Sequence, residues 1–345
     1  MQSLWIEARA QDGAIGYGEG CPREYVTSES LATAQAFVSA HAGDWTASIS
    51  DIATLASWVQ EHRTLIDANP AAWTAIELAL LDLIGKCGNK SVEALLGLPA
   101  ISGRYRYTAV LGDAAPGVFA AQLAHYRKAG FSDFKIKLSG DKERDREKVT
   151  ALAEAGIPSE RVRADANNLW RTAEGALVAL QALHFPFFAL EEPLPAGDYA
   201  GMSRLAAALG TRIILDESLL RPDQLDRLPG PAERWIANLR ISKMGGMLRS
   251  LELIRALRAR GLKLVIGAHV GESSVLTRAA LTVAQSARDL LIAQEGAFGT
   301  HLLSYDVADP PLMFGAGGVL EASVVRADAP GFGLSIVRAP GARAT

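Results

Sequence analysis

From residue 104 onward the chain repeats one pattern eight times: a short apolar run ending in polar residues, then a longer stretch of helical character. The runs lie at 105–112, 133–140, 161–168, 187–194, 212–219, 234–243, 263–271 and 290–299. Stretches such as SLELIRALRARG (250–261) separate them, and this one ends in arginine and glycine, as a helix C-terminus does. Lys137, Asp165, Glu191 and Asp216, each near the end of its run, follow one another at steps of 28, 26 and 25 residues. That is the length of one βα unit. Eight units predict a closed parallel (β/α) barrel of the TIM type, because an open doubly wound sheet has fewer units and a glycine-rich phosphate loop after its first strand. Neither GxGxxG nor GxxxxGK[ST] occurs in the sequence.

The first hundred residues read differently. SLWIEARAQDGAIGYGEG alternates apolar and polar residues around Asp12-Gly13, a hairpin signal. Helical segments follow, and the apolar density of AAWTAIELALLDLIGKCG (71–88) predicts a helix buried on most sides, stopped by Gly88. An α+β domain over 1–100 therefore precedes a barrel over 101–310. With 49% hydrophobic and 21% charged residues, the 345-residue chain can bury a large core. A net charge of −3, with basic residues spread among acidic ones, predicts no nucleic-acid partner. No run of about 18 apolar residues and no leader pattern occurs, so neither membrane insertion nor export is expected and the location predicted is cytoplasmic. Cys21 and Cys87 form neither a disulfide framework nor a zinc pattern.

In a barrel, the C-terminal ends of the strands meet around one mouth. Asp165, Glu191 and Asp216 would converge there, repel one another, and hold a hard divalent cation, with Mg²⁺ favoured by oxygen-only ligation and Mn²⁺ next. The alternative is that each acid caps a helix or pairs with an arginine. Lys135 and Lys137 are two residues apart on one strand, so both can face the interior.

KIK (135–137), DAN (165–167), EEP (191–193) and DES (216–218), in that order, resemble the enolase superfamily, nearest to its muconate lactonizing and mandelate racemase-like branches. The likeness extends to GYGEGCPREYVTSES (16–30), similar to the family's capping domain, and to VLEASVVRADAPGFGLSI (319–336), similar to a tail (311–345) that returns to the cap. The resemblance implies that Asp165, Glu191 and Asp216 bind Mg²⁺, that the ion binds a substrate carboxylate, and that Lys137 removes the proton α to it to give a metal-stabilised enolate. Lys135, beside it, would favour the neutral amine by like-charge repulsion. Asn167, Glu192 and Glu217 are expected to orient the ligands. The resemblance also implies a small-molecule carboxylate substrate and a homo-oligomer.

Two departures stand out. The family's cap is expected to begin with a strand and lid loop ahead of the segment matching SLWIEARA, and the sequence starts at that segment, through either a late start or a lost loop. In NLRISKMGG, Arg240 stands where the family carries a second lysine or an aspartate. Arginine is a poor base but binds carboxylates well, so Arg240 and Glu295 are expected to contact substrate. Lys243 and His269 are the remaining candidates for a far-side acid or base; a strand continuing past Arg240 would put Lys243 on its other face. One credible base favours elimination or cycloisomerisation, as in a dehydratase or lactonizing enzyme. The alternatives are a racemase or epimerase using Lys137 with His269 or Lys243, and a catalytically inactive carboxylate-binding scaffold.

Overall fold

The computed structural model describes residues 2–337. Strands β1 (Leu4–Arg9) and β2 (Ile15–Gly20) form the hairpin around Asp12-Gly13, where Gly13 takes φ +90°. Helices α1 (Leu31–Ser48), α2 (Ile52–Glu61) and α3 (Pro70–Cys87) complete the cap. A glycine stripe explains how α3 lies on the hairpin. A Cβ on Gly16, Gly18 or Gly20 would stand 2.1, 1.9 or 2.0 Å from the carbonyl oxygens of Ala79, Ala75 and Ala71. Alternate residues of a strand thus meet every fourth residue of a helix with no side chain between, an approach that glycine alone permits.

Strand β3 (Arg104–Arg106) pairs with β12 (Val319–Glu321) of the tail. Between them β4 (Ala109–Leu111), β5 (Phe134–Lys137), β6 (Val162–Asp165), β7 (Ala189–Glu191), β8 (Arg212–Leu215), β9 (Trp235–Leu239), β10 (Lys263–Ile266) and β11 (Leu291–Gln294) form one parallel sheet in chain order. The sheet curls until Thr108 N, just before β4, donates to Gln294 O at 2.8 Å. All eight predicted runs are barrel strands. Helices α4 (Pro116–Lys128), α5 (Lys142–Glu154), α6 (Ala173–Gln181) and α7 (Tyr199–Leu209) follow β4 to β7, while α8 (Met247–Ala259) and α9 (Ser274–Ser286) follow β9 and β10. The expected helix after β8 is absent. Only two 3₁₀ turns occupy Pro222–Arg227 and Ala232–Arg234, in a stretch broken by Pro222, Pro229, Gly230 and Pro231.

Inside the barrel, Ala189, Ile214, Ile236 and Val265 pack with Phe188 and Ala293 into a small apolar floor. Two residues further along β7, β8, β9 and β11, on the same face, come Glu191, Asp216, Asn238 and Glu295. The interior therefore changes from apolar to ionic over one pleat.

Carboxylates of the cap hold the barrel. Glu19 accepts from Ser273 N, Ser273 Oγ and Leu276 N at the start of α9, and Glu77 accepts from Leu248 N at the start of α8. Each supplies an acceptor that a helix N-terminus lacks, from another part of the chain. Arg278 of α9, wholly buried, makes two bonds to Glu93 at 2.7 and 2.9 Å and one to Phe332 O of the tail. The tail reaches the cap again where Phe332 N donates to Asp82. The last eight residues of the expected tail lie outside the described residues. Among those described, no helix is long and apolar enough to cross a membrane.

Arg278 joins cap, barrel and tail through one guanidinium. Arg278→Leu, which strands Glu93 as a buried charge, is expected to cost about 3–5 kcal/mol in urea unfolding, and Glu93→Leu/Arg278→Leu less than the sum of the single changes.

Candidate active site

Strand register assembles the mouth. Lys137 stands opposite Asp165, Asp165 opposite Glu191, and Glu191 opposite Ile214, so Asp216 lies one pleat beyond. All three acids are at most 2% exposed. They do not stand as bare mutually repelling carboxylates. Lys135 Nζ lies 3.1 Å from Glu191, 2.7 Å from Glu295 and 3.6 Å from Asp165. Arg240 Nη2 pairs with Asp216 Oδ2, and Lys243 Nζ lies 2.9 Å from Asp216 Oδ1. Arg163, two residues before Asp165 on the same face, pairs with Glu295 at 3.2 Å and with Asp133.

These pairings set the charge states. Burial works against the Lys135 ammonium, yet Glu191, Glu295 and Asp165 outweigh it and raise its pKa. Burial likewise pushes Asp216 up, but Arg240 and Lys243 hold it well below the usual carboxylate range. Glu191 is raised to about 7 by burial, with Lys135 opposing and Asp165 adding to the rise. Glu295 is held ionised by Lys135 and Arg163 against its burial. Ionised, Glu295 has no proton to donate, and its close partners are Lys135 and Arg163.

Lys135 and Lys137 diverge sharply. The Lys135 side chain is 4% exposed and spends its charge on carboxylates, whereas that of Lys137 is 42% exposed. Lys137 Nζ donates to Asn167 Oδ1 at 2.8 Å and stands 3.9 Å from Asp165. Asn167, at φ +45°, also donates its backbone N–H to Asp165. Glu192 accepts from Asp216 N, Ser218 N and Ser218 Oγ, pinning the backbone that presents Asp216; burial raises its pKa to about 8. Glu217, raised to about 7 by burial and then by Asp216, has its Oε2 buried without a partner.

Lys243 is not on the far face of a continuing strand. The chain turns into a short helix, Ile241–Met244, directly after Arg240, which swings Lys243 back to Asp216. There Asp216 O, Asp216 Oδ1 and Asn238 O take all three of its N–H bonds. Arg240 is equally engaged, with Nη1 3.5 Å from His269 Nδ1 and Nη2 also 3.5 Å from Glu191. Because arginine only donates, His269 Nδ1 accepts, so the ring proton sits on Nε2, which is buried and unpartnered. Burial first, and then Arg240, depress the His269 pKa.

Sequence reading missed Arg163 and Asn238, whose Nδ2 donates to Glu191 at 2.8 Å. The alternation that selected Asp165 and Arg240 points to both, since each lies two residues earlier on its strand.

Asp165, Glu191 and Asp216 offer only carboxylate oxygens from neighbouring strand ends, the donor chemistry a hard divalent ion takes. Among the described residues no three acid, His or Cys side chains stand gathered for an ion, and Lys135, Arg240 and Lys243 pair with these oxygens instead. The set fits such an ion in kind, and the ion would take over oxygens now neutralised by side-chain cations.

Residues 118–339 match the family described as Enolase C-terminal domain-like. The chain is 30% identical over 346 residues to an L-Lys-D/L-Arg epimerase of Methylococcus capsulatus, covering 97% of this chain and 91% of the relative. A dipeptide epimerase structure from the same organism, complexed with a Mg ion, superposes with TM-score 0.80 at 28% identity, covering 97% and 94%. A cis-3-hydroxy-L-proline dehydratase of Roseibium aggregatum is 26% identical over 345 residues, covering 97% and 88%.

His269 should stay neutral, with its proton on Nε2, as pH falls through the ordinary value of 6.5, read from its ¹⁵N shifts. Its depressed pKa means the unfolded chain binds the proton first, so stability falls as pH drops through the ordinary value of 6.5. In His269→Gln that acid-side fall should be shallower.

Proposed function

The chain belongs to the enolase superfamily, in its mandelate racemase and muconate lactonizing branch, and on that premise we propose that it is a magnesium-dependent enzyme that removes the proton α to a substrate carboxylate. The observation that carries this reading is the exposure of Lys137. It is the one of the three mouth lysines whose amine reaches the open mouth, beside the acids and held only by Asn167 and the more distant Asp165. Bound Mg²⁺, held by Asp165, Glu191 and Asp216, would supply the positive charge that makes an α-proton beside a carboxylate acidic enough to remove. Asn167 aims the Lys137 amine, and Glu192 fixes the backbone of Asp216. Lys135 stays protonated as the internal counter-charge of Glu191 and Glu295, rather than acting as a second base.

The outcome we propose is epimerisation of a small carboxylate of amino-acid or dipeptide type. The relatives support this over the elimination or cycloisomerisation that the sequence puts first. Of the far-side groups, Lys243 has every N–H engaged, which leaves His269 to exchange a proton on that face. One observation favours elimination as a second reading: Arg240, a permanent cation, stands beside His269 and leaves no titratable amine free there.

In D₂O with Mg²⁺, NMR should show α-deuterium entering a dipeptide or N-acyl amino acid, with inversion for an epimerase and loss of water or ring closure for the second reading. Lys137→Met should slow exchange by about 10²–10⁴-fold while Mg²⁺ binding persists. Asp216→Asn should weaken Mg²⁺ binding measured by calorimetry. Exchange retained in Lys137→Met would remove the lysine from this role.

A further inference from the structure

Helix α5, which follows β5, buries a stripe made of Asp145, Lys148, Val149 and Leu152. The spacing is that of an apolar helix face, yet its first two members are charged. The Lys148 side chain is 2% exposed and that of Asp145 4%. A buried ammonium is costly unless its N–H groups all find acceptors. These do: Lys148 Nζ donates to Asp145 Oδ1 at 2.9 Å, to Asp113 Oδ1 at 2.7 Å and to the backbone oxygen of Lys137 at 2.8 Å.

The third bond reaches the residue proposed as the base. Strand β5 ends at Lys137, and the peptide leading out of it is held from both sides: its C=O by Lys148, and its N–H, that of Leu138, by Asp165 O at 2.9 Å. Just beyond, Asp145 accepts from Ser139 N, Ser139 Oγ and Gly140 N, so the turn that follows is fixed to α5 as well. Asp113 ties the loop after β4 to the same ammonium and stands 3.1 Å from Arg144 Nε. With the strand holding the peptide before Lys137 and these bonds the peptide after it, the Cα–Cβ bond of Lys137 has one direction. That matters because the side chain itself is 42% exposed and its amine meets only Asn167 and, at 3.9 Å, Asp165. A long exposed lysine has many rotamers, so its aim must come largely from its root. Packing does not call for an ion here. Leucine or methionine fills such a stripe without the desolvation cost, but neither offers a donor to Lys137 O.

From this we infer that Lys148 is a positioning residue: its ammonium, braced by Asp145 and Asp113, fixes the backbone from which Lys137 reaches the substrate. The inference rests on the reading of Lys137 as the base and adds to it a group that bonds to the backbone of the base rather than to its amine.

The test uses the full chain. Lys148→Met keeps the stem and removes the donors; Asp145 retains Ser139 and Gly140, and Asp113 retains Arg144, so the variant should fold, as Tm would show. With saturating Mg²⁺ and a dipeptide or N-acyl amino acid that exchanges, kcat for α-proton exchange, counted per Mg²⁺-binding site by calorimetry, should fall about 10–100-fold while KM changes by less than about two-fold. Asp113→Asn, at a side chain 35% exposed, should lower kcat by a smaller factor. In Lys137→Met, adding Lys148→Met should slow the residual exchange no further, since positioning has no effect once the amine is gone. A lowered Tm with unchanged kcat per site would make these bonds a fold contact and overturn the inference, as would an additive loss in the double variant. A readout without substrate separates this inference from the enzyme reading. In protein labelled at lysine ¹³Cε, the Lys137 signal, assigned by its loss in Lys137→Met, should show two resolved ε-proton shifts that merge in Lys148→Met. Merging, with no exchange of any acid by the parent protein, would keep the positioning and sink the base. Unmoved ε-proton shifts with full exchange would sink the positioning and keep the base.

Discussion

Charge balance inside the barrel is the constraint on which the site depends. Above the apolar floor, Lys135, Arg163, Arg240 and Lys243 face Asp165, Glu191, Asp216 and Glu295, each residue at most 7% exposed. In so dry a setting an unpaired charge is far too costly, so every ion in this layer has a partner of opposite sign. The carboxylates with no such partner show the same rule from the other side. Glu192 and Glu272 are driven to about 8 by burial, which favours their protonated forms near neutrality. A divalent ion entering this layer adds two positive charges to a balanced set. An anionic ligand arriving with it restores the balance, which is a physical reason for metal and carboxylate to bind together.

The cap contributes more than a lid. Its glycine stripe lets α3 lie flat on the hairpin, and that unit presents Glu19 and Glu77, with Glu93 from the segment after it, to the helices that follow β9 and β10. Those helices carry the loops bearing His269 and Lys243.

Much of this was legible in the sequence because two periodicities are exact in their consequences. The eight apolar runs gave the barrel, and the near-constant step between acids placed Asp165 and Glu191 in direct register. What escaped depends on three-dimensional pairing. A run of letters does not say that Lys135 would be taken by three carboxylates, nor that Glu295 would turn to Arg163. Lys243 was misplaced because one assumption, a strand continuing past Arg240, fixes the face of every later residue, and the turn at Ile241 reverses it. Pro222, Pro229 and Pro231 could have warned that β8 lacks a following helix; the regular beat hid them.

Arg240 makes the mouth asymmetric in a way that a lysine at that position would not. Lysine can give up its proton when crowded by other cations, so a lysine there could match Lys137 across the mouth. Arginine cannot. Its fixed charge is anchored on Asp216 and, after burial, adds to what depresses the His269 pKa. The mouth thus carries a solvent-accessible amine, Lys137, together with a buried guanidinium and a buried imidazole, Arg240 and His269. In the proposed reaction Lys137 would take the proton on one face, whereas a proton delivered from the other would have to come through His269, whose Nδ1 faces Arg240. On the proposed function, the ion pair of Arg240 with Asp216 would therefore bear on which face exchanges a proton, and it occupies an oxygen of the proposed metal site.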